Sequence, residues 1–310
     1  MFPIIPANSV AATTTYQNDE GIFGFGLGLP YPTLVGVTNK VSNVGVIASD
    51  TAAVGSARSD VASCEYGGDK AIFGFGDNRS ITVTYDITNL VSNSGVVASD
   101  TAGVGTARSG PVACGYGGDK GIFAYGRLST TYYTTTNKVS NSGVVESDVA
   151  GAGTARAYGA ACEYGGDKAI IGFGVISSTA QSVTNLVSNT GVIASDTAGV
   201  GSAREAPGAL EYGGDKGIFG PGYDTPNAVN LSIINLVSNT GVIASDTAST
   251  GTARRYSPGC EYGQDKGIFA YGGWTPYNIS NKISNEGVMA SDTAGVGTAR
   301  TCGGGGCSFN

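Results

Sequence analysis

The chain has 310 residues, 41% of them hydrophobic and 13% charged, with a formal net charge of −7 and no histidine. That length and apolar content allow a sizeable buried core, while the acidic balance, with no run of lysine and arginine, excludes a nucleic-acid backbone as the main partner. Without histidine the chain lacks the usual general base, the commonest zinc and copper ligand, and the Ser-His-Asp and Cys-His nucleophile systems.

The first twenty residues, MFPIIPANSVAATTTYQNDE, have neither the charged start nor the long apolar core of a secretory signal. Nowhere do eighteen apolar residues run together, so no membrane insertion is expected. From Asp19 onward one phrase recurs: DEGIFGFG at Asp19, DKAIFGFG at Asp69, DKGIFAYG at Asp119, DKAIIGFG at Asp167, DKGIFGPG at Asp215 and DKGIFAYG at Asp265, at spacings of 50, 50, 48, 48 and 50 residues. A fixed period of this size marks a repeat architecture. The units are 9–58, 59–108, 109–156, 157–204, 205–254 and 255–300, followed by a tail, 301–310, which has the place of a latch across the seam between the first and last units.

Each unit offers four short strands, best seen in 59–108. The first, with its Cys-Glu-Tyr, ends at Gly-Gly-Asp-Lys, a tight reversal in which glycine supplies positive φ and aspartate bonds its own backbone. The second, Ile72-Phe73-Gly74-Phe75, alternates large and minimal side chains, which places Phe73 and Phe75 on one face and leaves Gly74 open to a neighbouring sheet. The third runs through Leu90 and Val91 to Ser-Asn-Ser-Gly, a hairpin turn, and the fourth through Val96 and Val97 towards Asp100. Residues 9–16 are expected to be the first strand of the first unit. The glycine total of 51 fits such an all-β chain of turns and short strands. Four-stranded sheets with two apolar faces must stack on one another, and a closed ring of six satisfies all of them. The expected fold is a single six-bladed β-propeller of four antiparallel strands per blade with a repeat of 46–50 residues. A linear β-solenoid is disfavoured because its coils are shorter than this period.

The glycine-rich phrase around Lys70 is not a phosphate loop. The lysine is followed by glycine or alanine, a strand stands where a helix is needed, and the phrase occurs in every unit. Gly-Val-Gly-Thr-Ala-Arg likewise lacks the third glycine and the helix of a dinucleotide fingerprint. It ends instead on an arginine eight residues after an aspartate: Asp50 and Arg58, Asp100 and Arg108, Asp148 and Arg156, Asp196 and Arg204, Asp246 and Arg254, Asp292 and Arg300. Six guanidiniums are thereby expected around one mouth of a central channel, either locked by carboxylates and carbonyls in their own or the next blade, or left to collect an anion; the matched counts favour the first.

Cys64, Cys114, Cys162 and Cys260 share one repeated position, with Thr14 and Leu210 in the other two units, which reads as a small buried slot. Cys302 and Cys307 flank four glycines, with spacing for a small disulfide loop or for tying the tail to the body. No metal or other cofactor is expected. Recognition falls to what differs between units, the connections from second to third strand. These gather Tyr31, Tyr85, Tyr132, Tyr133, Tyr223, Trp274 and Tyr277 among threonine, serine and asparagine, a mixture suited to sugar or protein surfaces or simply to covering blade edges.

In skeleton the unit, from YGGDKAIFGFG through TNLVSNTGVIASDTAGVGTAR, resembles a kelch propeller blade, with the arginine where kelch blades often carry one before the innermost strand. Its wording also resembles repeat proteins found among tailed-phage and other virus-associated structural proteins, over about residues 9–300. The resemblance implies a non-enzymatic structural or adhesion module of a virion or another extracellular assembly, with other virion proteins or a surface glycan as partners. Two alternatives stand beside it. A glycan-acting propeller enzyme needs a unique acidic cluster in a pocket, which the sequence does not display, and an intracellular kelch-like adaptor would keep its cysteines reduced.

Overall fold

A computed structural model describes residues 19–52, 54–79, 83–301 and 303–310, and all of their regular structure is β. Six antiparallel sheets repeat along the chain, each built on a three-strand core. In the second unit the first strand, Ala62–Tyr66, pairs with the second, Lys70–Gly74, placing Cys64 opposite Ile72, and the second pairs with the third, Thr88–Val91, placing Gly74 opposite Thr88. The alternation of the first strand explains its orientation: Ala62, Cys64 and Tyr66 are buried, while Ser63 and Glu65 point the other way.

The expected fourth strand is reduced to bridges, Val91 with Val97 and Thr88 with Thr101, and forms a short strand only at Thr247–Ala248. Asn89 Nδ2 donates to the Ala98 carbonyl at 3.0 Å and to Asp100 Oδ1 at 2.9 Å, so a side chain as well as the bridges ties this segment to the third strand.

The seam of the molecule also differs from expectation. Residues 9–16 lie outside the described residues, and the first strand of the first sheet is the chain's tail: Gly305–Phe309 pairs with Glu20–Gly24, putting Cys307 opposite Ile22 as Cys64 lies opposite Ile72. The tail reproduces the repeat in reduced form, with Cys307 in the cysteine slot and Phe309 in the place of Tyr66. It is a structural strand contributed from the far end of the sequence.

Successive sheets meet face to face. The first strand of each touches the first strand of the next, from Gly305–Phe309 through Ala62–Tyr66, Val112–Tyr116, Ala160–Tyr164, Ala209–Tyr212 and Gly259–Tyr262, and the last touches the tail strand again. A belt of hydrogen bonds follows the same order: Gly67 N–H donates to the Asp119 carbonyl at 2.7 Å, Gly117 to Asp167, Gly165 to Asp215 and Gly213 to Asp265. Gly263 then returns to Asp19 at 2.9 Å and Asn310 to Asp69 at 3.0 Å. The glycine-rich turn is therefore architecture, and its Asp-Lys neighbours pair with each other, as in Asp69 and Lys70.

Between sheets the core is aromatic, and here too one expectation fails. Phe75 follows the end of its strand with φ of 61°, so Phe73 and Phe75 turn to opposite neighbours: Phe73 meets Phe25 edge-on at 5.2 Å and Phe75 meets Phe123 at 5.1 Å. Phe25, Tyr125, Phe173 and Tyr271 share this left-handed conformation, which costs each of them some strain and is held by full burial.

Candidate functional site

The six repeated arginines do not surround an open mouth. All are at most 1% exposed, each lying against a carbonyl or asparagine of the following unit. Arg156 donates Nε–H to the Phe173 carbonyl at 2.7 Å, Nη1 to Thr154 at 3.1 Å and Nη2 to Asn185 Oδ1 at 2.8 Å, with Tyr125 stacked 4.5 Å away. The carboxylate partner is not the aspartate eight residues earlier but that of the next unit: Arg58 with Asp100, Arg108 with Asp148, Arg156 with Asp196 and Arg254 with Asp292, at 3.9 to 4.0 Å. Burial lowers the pKa of Arg58 and Arg108 to about 10, so both remain charged at neutral pH.

Each of these aspartates also takes the hydroxyl and N–H of a serine or threonine in the preceding unit. Thr106 donates to Asp148, Ser202 to Asp246 and, across the seam, Thr298 to Asp50. These bonds join one unit to the next, while Arg58 Nη2, Arg108 Nε and Arg300 Nη2 are buried without a hydrogen-bond partner.

A second repeated feature escaped the sequence reading. Glu65, Glu163, Glu211 and Glu261 line a narrow cavity of about 40 Å³ enclosed by all six first strands, with Gly115 and Ser308 at the two remaining positions. The signal was present in the Cys-Glu-Tyr phrase, whose alternation sends the glutamate away from the cysteine. These carboxylates are tied across units: Glu163 accepts the Gly115 N–H, Glu261 the Glu211 N–H, and Glu65 Oε1 the Ser308 N–H at 3.2 Å. Burial first, and the neighbouring glutamates second, push Glu211 up to about 8 and Glu163 and Glu261 well above the usual carboxylate range. Like charges in so narrow a space cannot all ionise at neutral pH.

The residues that do not repeat collect at one end of this channel. Two residues after five of the repeated arginines the chain places a residue in the left-handed region: Asp60, Gly110, Tyr158, Ala206 and Tyr256, with φ of 51° to 59°. Backbone hydrogen bonds join them in order, Gly110 N–H to Asp60, Tyr158 to Gly110, Ala206 to Tyr158 and Tyr256 to Ala206, at 2.7 to 3.1 Å. The backbone is regular here while the side chains differ, with aspartate, glycine, alanine and two tyrosines at the five positions. The three arginines outside the repeat, Arg79, Arg127 and Arg255, all come to this rim. Asp60 Oδ2 receives Arg79, with Tyr158 Oη and Ser109 Oγ each at 3.4 Å. Burial outweighs Arg79 and raises the Asp60 pKa to about 6. Arg255 pairs with Glu205 at 3.0 Å and is enclosed by Tyr223, Trp274 and Tyr256, with guanidinium carbon to ring-centre distances of 3.9, 4.7 and 5.4 Å. Below the rim lies a cavity of about 110 Å³, lined among others by Asp60, Tyr158, Tyr256 and the glycines 303 to 306.

The variable connections form small hairpins on this same rim, bridged to the residues after the arginines, as Asp77 is to Ser59, Arg127 to Ser109 and Tyr223 to Glu205. Of the predicted aromatic residues, Tyr223 and Trp274 come together around Arg255, and Tyr31 lies beside Trp274 with ring centres 6.2 Å apart, the last two 51% and 59% exposed. Tyr132 packs against the cluster of Ala157, Tyr158, Val175 and Ala206 and accepts the Ser177 N–H at 3.0 Å. Tyr85, Tyr133 and Tyr277 sit in their own hairpins, held by backbone bonds to Gly76, Gly126 and Gly272, and do not join the cluster.

The cysteines Cys64, Cys114, Cys162 and Cys260 are free, buried thiols in the first strands, and Cys307 joins them in the slot assigned to Thr14. Cys302, the other half of the expected loop bridge, lies outside the described residues. No group of three or more metal-binding side chains occurs among the described residues, and no helix is long and apolar enough to cross a membrane. No protein-family model matches the chain, and a search of curated proteins finds none similar to it.

Proposed function

We propose that the chain is a six-bladed β-propeller serving as a non-enzymatic binding module, with the rim of non-repeated residues as its contact face. The cyclic order of sheet contacts and the hydrogen-bond belts that return to Asp19 and Asp69 support the closed ring. The observation that carries the functional reading is the separation of roles. Repeated polar residues bond one unit to the next, while the individual ones, Asp60, Arg79, Arg127, Glu205, Arg255 and the aromatic residues, converge at one end. A rigid frame that presents dissimilar side chains binds by preorganised contacts. The resemblance to kelch blades and to phage-associated repeat proteins makes a virion or other extracellular assembly the setting, with another assembly protein or a surface glycan as partner.

The acidic cluster revealed in the channel does not favour the enzyme alternative. A glycosidase holds its two carboxyl groups about 5 to 9.5 Å apart around a sugar, whereas these glutamates share a cavity of about 40 Å³ and bind backbone N–H groups of neighbouring strands. The test is a glycan array and a co-assembly assay on the full chain and on Trp274→Ala with Tyr31→Ala. Binding that the double variant loses at an unchanged melting midpoint supports the contact face. Cleavage of any glycan on the array, or binding indifferent to the rim, overturns the proposal.

A further inference from the structure

The rim carries one guanidinium whose charge has no carboxylate partner. Arg79 is paired with Asp60 and Arg255 with Glu205, but Arg127, among the described residues, makes no ion pair. Its Nε and Nη2 both donate to the Tyr158 hydroxyl, at 3.3 and 3.1 Å, and its guanidinium lies 5.2 Å from that ring. Tyr158 lies against Gly110, where an added Cβ would come within 2.6 Å of its ring, and so reaches across to Asp60. There the two carboxylate oxygens differ. Oδ2 receives Arg79, Tyr158 and Ser109, while Oδ1, equally buried, has no partner. A second buried rim atom, Arg255 Nε, is also without one. Buried polar atoms without a partner call for an explanation, and Asp60 borders a cavity with room for more than one water-sized group, with Tyr158 and Tyr256 also in its lining.

We propose that this end of the channel binds a carboxylate-bearing saccharide, its carboxylate on Arg127 and one hydroxyl donated to Asp60 Oδ1. The donor and acceptor types fit: guanidinium matches a carboxylate in planar two-point contact, an unoccupied carboxylate oxygen takes a sugar hydroxyl, and tyrosine faces suit the apolar side of a pyranose ring. Glu205, Asp60 and Asp77 are the anions nearby, and the first two are engaged by Arg255 and Arg79. This inference rests on the rim being the contact face and names its ligand class.

Glucuronate and glucose oligomers differ at the carboxylate alone and are the probes, with acetate as the measure of simple anion binding. Binding to the full chain is followed by calorimetry and by the fluorescence of Trp274, the chain's sole tryptophan, which lies against Arg255. The expected result is saturable binding of the glucuronate oligomer, at least about tenfold tighter than the glucose oligomer and than acetate. Arg127→Gln should remove that preference, and Asp60→Asn should weaken both sugars. Should Arg127→Gln lower the melting midpoint, Arg127→Lys, which keeps the charge, is expected to retain a preference for the acid. Equal binding of acid and neutral sugar, binding no better than acetate, or a preference that survives in Arg127→Gln overturns the inference. Loss of attachment on Tyr31→Ala and Trp274→Ala with no acid preference in the parent would refute it while leaving the contact face intact.

Discussion

The contact between Gly74 and Phe123 sets how closely two sheets approach, and it can be tested by an exchange the chain already contains. Gly74 sits in ordinary extended backbone, so alanine there is free of backbone strain. Its Cβ, however, would lie 2.7 Å from Phe123 Cζ and 3.2 Å from Thr88 Cγ2, where carbon contacts optimally stand at about 3.5 to 4.0 Å. The ring must retreat by roughly 1 Å, but it is fully buried and packed edge-on against Phe75 at 5.1 Å. Overpacking of this kind costs about 1–3 kcal/mol, and Gly74→Ala belongs in the lower half of that range, with Gly74→Val at its top.

The third unit has alanine at the same place, Ala124, and the residue of the next sheet in its core cluster is Ile171 where other units carry phenylalanine. Phe123→Ile should therefore cost about 1–2 kcal/mol alone through lost contact, yet rescue Gly74→Ala by recreating the Ala124 and Ile171 pair. Urea unfolding of the two single variants and the double variant gives the coupling, expected near 1 kcal/mol in the stabilising direction. Strictly additive costs would refute the packing argument. Ala270, which shares a cluster with Phe23, shows that one interface tolerates both large groups and sets the lower bound of the effect.

Arg156→Ala leaves the Phe173 carbonyl, Asn185 and Thr154 without their buried donor and should cost about 3–5 kcal/mol in the same unfolding assay; Arg156→Lys, lacking the fork, should recover little of it. Glu211, held near pKa 8 in the folded state against 4.5 for the ordinary side chain, binds its proton more tightly when folded, so stability is greatest below pH 4.5 as far as this group is concerned and falls as pH rises towards 8. The channel's contribution to that fall is at most about 5 kcal/mol for one such group, and Glu211→Gln should flatten the profile between pH 5 and 8; an unchanged slope in the variant would contradict the burial assigned to it. The repeated aspartates act in the opposite sense. Asp148 and Asp246, held below the usual range by hydroxyl and amide donors against the opposing effect of burial, contribute stability above pH 4 that is lost on further acidification. Deleting residues 303–310 removes the strand paired with Glu20–Gly24 and exposes its edge, so the truncated chain should aggregate or be nicked near residue 20, and a peptide of residues 303–310 should restore protection; full resistance without the peptide would refute the seam.

The all-β character, the six units and the internal turns were legible because they depend on local rules. Glycine supplies positive φ in Gly-Gly-Asp-Lys, alternation fixes strand faces, and a phrase repeated in every unit reads as scaffold. The same repetition marked Arg58 and its equivalents as architecture, but a carboxylate eight residues away on the chain is not the one nearest in space. Pairing there crosses to the next unit, and only packing decides which neighbour that is.

What no linear reading supplied were the relations between distant units: the tail taking the first strand's place, Phe75 leaving its strand to face Phe123, four glutamates meeting across one cavity, and Arg79, Arg127 and Arg255 gathering on one rim. Each of these arises when equivalent positions of different units are brought within a few ångströms of each other. Local sequence specifies the shape of a unit, whereas proximity among side chains fifty or a hundred residues apart exists only once the units have packed.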